Sequence, residues 1–384
     1  MRSPFAILCS LTVAASFALI FLLAPMVTKT APSLPGGAAL FYQIAVLAGA
    51  FYAHFLGLLP LRVQGVLHAA LGVTALLTLP LAGGVVAMGA LAANIALVPR
   101  WFSFARPKQT PWRVFALGLA GGLLALFAGP LLLPSSQAWF FVYGLVIAAA
   151  FVIAWKAKDS AKDSDSPAPR KTPLTAALAL RWILLAAIPS GLMQSLASVW
   201  AADATAILAL YFATLALAFA GLPDVFVRAT RLFIPLPLIA VGVGFAAVFV
   251  QTAPNLAAIS LWESAFFLVA FVVAAQGCHC ELARQKPDVS SLSFFVLAVA
   301  LGAALGGFAL ELFAQKIAFA VGLILAGLLI GAQAERNTSE RRKLHPHVAA
   351  AVATLLVGVA LSWSEPAGDS AEAFSQLRGP LYGN

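Results

Sequence analysis

The chain has 384 residues, of which 62% are hydrophobic and only 10% charged, and it carries a formal net charge of +9. A soluble domain is about a quarter charged, because its surface must be wetted. With 23 basic and 14 acidic residues the chain cannot cover a globule of its own size, and its mean hydropathy is +0.97. The expected fold class is an all-α polytopic membrane protein. A cytosolic enzyme and a secreted disulfide scaffold are excluded. So is nucleic-acid binding, because the basic residues sit in short loops between apolar runs.

A spanning helix needs about 20 apolar residues. Thirteen runs qualify. Those before the charged segment at 156–173 are Phe5–Met26, Ala38–Leu59, Val63–Leu81, Gly83–Val98, Val114–Leu133 and Ala138–Trp155. Those after it are Trp182–Val199, Thr205–Leu222, Leu232–Phe249, Leu261–Gln276, Ser293–Leu310, Ile317–Ala332 and Val348–Trp363. The fourth is the weakest, being short and running almost directly on from the third. With the N-terminus cytoplasmic, 20 of the 23 Lys and Arg residues fall inside, leaving Lys29, Lys316 and Arg378 outside. That asymmetry is what the positive-inside rule expects. It places the C-terminus outside. The first run reads as a retained helix rather than a secretory signal, because its apolar stretch exceeds a signal-peptide core. Three cysteines supply no disulfide framework.

Residues 156–173, KAKDSAKDSDSPAPRKTP, are too polar to bury a core and read as a disordered cytoplasmic linker. The chain therefore divides into a membrane half at 1–155 with six helices, the linker, and a membrane half at 174–363 with seven helices. A short external tail follows at 364–384. A six-plus-six layout around a cytoplasmic loop is how major-facilitator transporters are built. Their Gly-x-x-x-Asp-Arg loop between helices two and three is replaced here by Pro60-Leu61-Arg62.

Ionisable groups in a bilayer are costly and point to function. An outer set comprises Asp203, Glu263 and Glu311, with Trp200 and Trp262 beside the first two. Carboxylates with aromatic walls suit an organic cation. Solvated interfacial acids within an ordinary aromatic belt are the plainer reading. An inner set comprises His54, His68, Cys278, His279, Cys280 and Glu281, with Gln276 one turn above. His54 and His68 fall at similar depth on neighbouring helices, and such imidazole pairs ligate haem or a metal. Cys278, His279 and Cys280 are consecutive, so their side chains diverge. A hydrogen-bonded cluster at a helix end competes with a metal site there. If the cluster is functional, His279 and Glu281 suit proton coupling or gating.

Gln43, Asn94 and Gln194 read as interhelical hydrogen-bond partners worth about 0.6 kcal/mol each. Gly302, Gly306 and Gly307 read as close helix packing. The loop Pro99–Pro111, with Trp101, reads as an anchor on anionic headgroups at about 1 kcal/mol per charge, or as a docking site for a cytosolic partner.

Several stretches together resemble the membrane domain of bacterial spermidine-synthase-like proteins, the fused transporter/spermidine synthases. They are Gly36-Gly37, Phe41-Tyr42-Gln43, Tyr52-Ala53-His54, His68, Arg100-Trp101-Phe102, Arg181-Trp182, Pro189-Ser190 and Asp203. The fullest is Cys278-His279-Cys280-Glu281-Leu282-Ala283-Arg284, with Pro287-Asp288 and then Gly302, Gly306 and Gly307. The likeness runs from Leu11 to Gly331. It departs at Ala201-Ala202-Asp203 (family T-T-D), at Gly118-Leu119 (S-N) and at Ser293-Phe294-Phe295 (T-E-F-Y). The family's soluble aminopropyltransferase domain has no counterpart, since the only near match to its Gly-rich turn, Gly242-Val243-Gly244, lies in an apolar run.

The resemblance implies a non-catalytic protein of the bacterial inner membrane, transporter-like or binding a small organic cation such as a polyamine. A scaffold or accessory subunit of a larger membrane complex is the alternative. The expected surroundings are the lipid bilayer and either complex subunits or a separate synthase-like protein, with no nucleic acid. No cofactor is expected, haem or a metal at His54 and His68 being the minor alternative.

Overall fold

Inside hydrocarbon every backbone N–H and C=O must find its partner within the chain, and a helix does this within a single segment. The computed structural model describes residues 3–28, 37–78, 84–107, 109–132, 136–162, 174–199, 204–221, 231, 233–251, 261–311 and 315–334. Among these there is no strand. The helices are α1 (Pro4–Thr28), α2 (Gly37–Leu56), α3 (Leu61–Thr78), α4 (Gly84–Ala105), α5 (Pro111–Leu132) and α6 (Ser136–Lys162). They continue with α7 (Ala176–Val199), α8 (Ala204–Gly221), α9 (Pro235–Gln251), α10 (Leu261–Arg284), α11 (Leu292–Glu311) and α12 (Gln315–Ala334). A 3-10 turn, Val289–Ser291, precedes α11.

Six of these helices are long and apolar enough to cross a membrane over their described residues: α3, α4, α6, α7, α10 and α11. Each of the first twelve apolar runs coincides with one helix. The thirteenth, Val348–Trp363, lies outside the described residues, as does the tail at 364–384. The charged segment differs at its start: Lys156–Lys162 continue α6. Lys and Ala are good helix formers, so a helix already running extends through them.

The fourth run is the largest departure. It ends early in sequence at Pro99-Arg100, yet α4 passes through Pro99 to Ala105, and Trp101 and Phe102 are buried. The first half of the loop Pro99–Pro111 is therefore helix. Trp101 is a core residue, not a headgroup anchor. Of its spanning stretch α4 buries 78%, against 28% for α3.

The packing repeats. In the first half α1 packs on α4, α5 and α6, α2 on α4, and α3 on α4 and α6. Adding six to each number describes the second half: α7 packs on α10, α11 and α12, α8 on α10, and α9 on α10 and α12. The same shift carries α4 onto α10, the next most buried span at 67%. Six is even, so the two halves run in the same direction. Glycines set the repeated contacts. A Cβ on Gly118 or Gly122 of α5 would strike Val13 or Phe17 of α1, and one on Gly302 or Gly306 of α11 would strike the backbone of α7. Both pairs are four residues apart, the spacing that lets two helix backbones approach in a membrane.

The halves meet chiefly through α2 against α11 and α5 against α8, two contacts that the six-helix shift exchanges. A weaker one joins α4 to α11. The C-terminus of α2 lies at that of α4, where Arg100 packs on Gly57, and close to the N-terminus of α11, where Ser293 approaches His54. Even-numbered helices thus end, and odd-numbered helices begin, at one end of the bundle. Arg62, Arg113, Arg181, Arg231 and Arg284 also lie at this end, called the basic end below. Large apolar side chains such as Leu58, Leu77, Leu124 and Phe141 face outward, more than two-thirds exposed, as a lipid-contacting surface requires.

Candidate functional site

Among the described residues, three polar places stand out within this apolar bundle. The first is in the first half, among α1, α2, α3 and α4. His68 is buried, and its Nε2 lies 2.8 Å from Asn94 Oδ1. The Asn94 amide in turn donates to Ser16 Oγ at 3.2 Å, and Ser16 donates to the Thr12 carbonyl. An amide oxygen only accepts, so Nε2 carries the proton and Nδ1 is a bare acceptor. Among the described residues Nδ1 is buried without a hydrogen-bond partner, as is the Tyr52 hydroxyl, whose ring stacks on His68 at 5.9 Å. Trp101 closes the other side and donates to Gln64 at 2.8 Å. The Gln64 amide holds the turn between α2 and α3 by donating to the Leu59 carbonyl at 2.6 Å. Asn94→Leu leaves both nitrogens of His68 without a partner. It is expected to cost about 1–3 kcal/mol in thermal unfolding in detergent, with most of the loss recovered in Asn94→Leu/His68→Phe.

The second place is in the second half, between α8 and α10. His279 is buried with Nδ1 3.0 Å from Thr214 Oγ1. Thr214 gives its one proton to the Tyr211 carbonyl, so it accepts from His279, and Nε2 is buried with no partner among the described residues. The consecutive side chains diverge as helix geometry dictates. Cys280 accepts from Gln276 at 3.1 Å, and Cys278 is buried in the apolar core. Glu281 meets Arg231 in a two-pronged ion pair, with Arg284 4.0 Å away. His279 and Glu281 therefore face different elements and form no joint site.

His54 does not join His68. It packs on Phe294 of α11 and lies 3.5 Å from Ser293 Oγ, while His68 faces Tyr52, Asn94 and Trp101. The inner set is thus dispersed: His54, His68, His279 and Glu281 each have different partners. Among the described residues no three His, Cys, Asp or Glu side chains are grouped to hold a metal.

The third place is the interface between halves. At the basic end it is apolar and aromatic: Trp112 and Phe115 of α5 meet Phe219 of α8, and Trp112 meets Phe295 of α11 at 5.3 Å. Trp182 of α7 closes on Phe295 at 5.1 Å and donates to the Gln285 carbonyl. Further along the bundle the interface turns polar, where Gln43 of α2 and Gln194 of α7 converge on Gly307 of α11. The sequence suggests interhelical bonds for these glutamines, yet Gln43 Oε1 is buried without a donor among the described residues.

Asp203 and Trp200 lie outside the described residues, and so do the side chains of Trp262, Glu263 and Glu311, whose positions fall in α10 and α11. Residues that sequence reading did not single out are Tyr211, Thr214 and Arg231, which contact His279 and Glu281, and Ser16 and Gln64 in the first half. Their partners stand up to 78 positions away in the chain, a distance at which no local periodicity gives a signal.

No protein-family model matches the chain, and no curated protein matches it.

Proposed function

We propose that this protein is a polytopic transporter of the bacterial inner membrane, in which two six-helix halves rock against each other around a site at their interface. The basic end faces the cytoplasm in this reading, with the N-terminus inside, thirteen spans in all and the C-terminus outside. The observation that carries it is the repeated packing: the halves are parallel and joined chiefly by two exchangeable contacts, α2–α11 and α5–α8. Parallel repeats related by an axis along the membrane normal are the architecture of major-facilitator-type carriers, which bind cargo at the repeat interface. The aromatic closure at the basic end and the polar interface beyond it support a carrier shut on one side. The cargo is a small organic cation such as a polyamine, a reading supported by Asp203, Glu263 and Glu311 and by the resemblance to spermidine-synthase-like proteins.

Phe115 and Phe219 pack at 5.1 Å between centroids across the α5–α8 contact. Phe115→Cys/Phe219→Cys, in a background with Cys9, Cys278 and Cys280 changed to Ser, is to be clamped by a short bifunctional thiol reagent in proteoliposomes. Uptake of labelled putrescine is expected to fall at least tenfold on clamping, while either single-cysteine protein keeps it. Undiminished uptake with the clamp closed sinks the rocking mechanism. Absence of uptake in the unmodified protein, with a stable partner co-purifying in mild detergent, moves the assignment to an accessory subunit.

A further inference from the structure

We propose that the amides of Gln43 and Gln194, meeting over Gly307, form a subsite for the ammonium group of an organic amine. The inference deepens the transporter reading and rests on it.

The three glycines of α11 do two different jobs. Cβ atoms on Gly302 and Gly306 would run into the carbonyls of Ile183 and Ala187, so those positions serve backbone contact with α7. Gly307 is one residue on, and a helix turns about 100° per residue. It therefore faces another direction. A Cβ there would stand 2.5 Å from Gln43 Nε2 and 2.6 Å from Gln194 Nε2, and would also strike Gln43 Oε1. The absent side chain leaves room for two amides, not for a neighbouring backbone. One amide comes from the first half and the other from the second, so the junction lies where relative motion of the halves acts on it.

The amides do not satisfy one another. Gln43 Oε1 is buried with no donor among the described residues. Ser190, one turn earlier on α7 than Gln194, spends its proton on the Ala303 carbonyl at 2.9 Å and cannot supply it. A buried carbonyl oxygen without a donor costs about 1–3 kcal/mol, and a ligand N–H placed there removes that cost. The missing partner of that oxygen is a donor, which an amine supplies and a carboxylate does not. An ammonium group brings three donors and no acceptor. The neutral Gln43 amide oxygen can hold it in low dielectric and release it more readily than a carboxylate.

The test is equilibrium binding of labelled putrescine to the purified full-length protein in mild detergent. Gln43→Met and Gln194→Met keep side-chain length and remove the amide. Gln43→Met is expected to weaken binding about 10- to 100-fold, the range for hydrogen bonds to a charged group, and Gln194→Met, whose atom nearest Gly307 is the Nε2 donor, to weaken it less. Gln43→Glu retains the acceptor and is expected to bind at least as tightly as the unmodified protein. 1,4-Butanediol and succinate are expected not to compete. Unliganded melting temperatures within a few degrees of the parent show that the variants are folded. Unchanged binding in both methionine variants, or competition by succinate, overturns the subsite and leaves the transporter reading standing. If the unmodified protein binds no putrescine, the subsite and the cation cargo fall together, and the Phe115/Phe219 clamp alone then judges the rocking mechanism.

Discussion

Arg231→Ala is expected to destabilise the protein by about 3–5 kcal/mol, the range for removing one partner of a buried ion pair. The cost comes from what is left behind. Glu281 has a side chain only 1% exposed, and its two oxygens both accept from the Arg231 guanidinium. Arg284, 43% exposed and 4.0 Å away, is too distant and too wet to replace that fork. The reverse change is milder. In Glu281→Gln the orphan is Arg231, 18% exposed, whose long side chain can move its charge toward headgroups and water. About 1–3 kcal/mol is expected there, the cost of an unmade bond. Arg231→Met/Glu281→Leu removes both charges and is expected to recover most of the loss, since well-packed apolar pairs commonly match buried ion pairs. Thermal unfolding of the four proteins in one detergent measures the cycle. Equal losses in both single variants would show that the carboxylate is no more confined than the guanidinium.

The ion pair has a place in the repeat. Arg231 lies just before α9 and clasps the end of α10 through Glu281. Six helices earlier, Gln64 at the start of α3 accepts from Trp101 at the end of α4. Each half thus ties its third helix to the end of its most buried one, once through a charge pair and once through an amide. Neither tie is visible in the sequence. Gln64 and Trp101 are 37 positions apart, and Arg231 and Glu281 are 50 apart.

What could be read in the sequence follows from the same physics. A run of about 20 apolar residues must be a helix if it crosses hydrocarbon, so the twelve described helices stand where composition puts them. Their faces could not be read, because a helix apolar all round carries no periodic stripe. α4 shows the consequence. Pro99 and Arg100 mimic a helix end, yet the helix passes through them and buries Trp101. For the site, the residue types were legible but not their grouping. His54, His68, His279 and Glu281 share a depth in the bundle, and depth alone places no two of them together. A polar side chain in lipid seeks a partner, which is why the sequence suggests bonded glutamines at Gln43 and Gln194; among the described residues the Gln43 oxygen has none.

Gly306→Leu is expected to abolish recovery of folded protein, the largest effect of any change considered. α11 lies on α7 along Gly302 and Gly306, where added Cβ atoms would meet not side chains but the carbonyl oxygens of Ile183 and Ala187. Side chains can turn aside; a helix backbone cannot. Accommodating a leucine means pushing α11 away from α7, and α11 also carries the contact with α2 that joins the halves. The displacement would therefore loosen the second half and the interface together. Gly306→Ala has the smallest possible added group and is expected to leave a folded fraction with a much lower melting temperature. Gly144→Ala is the control: a Cβ there meets nothing within 4 Å, and the change is expected to raise stability by about 0.4–1 kcal/mol. Monodisperse yield in mild detergent and melting temperature read all three. A Gly306→Leu protein that purifies and melts like the parent would mean that α7 and α11 are not held backbone to backbone, and the repeated glycine-lined contacts would lose their role in defining the two halves.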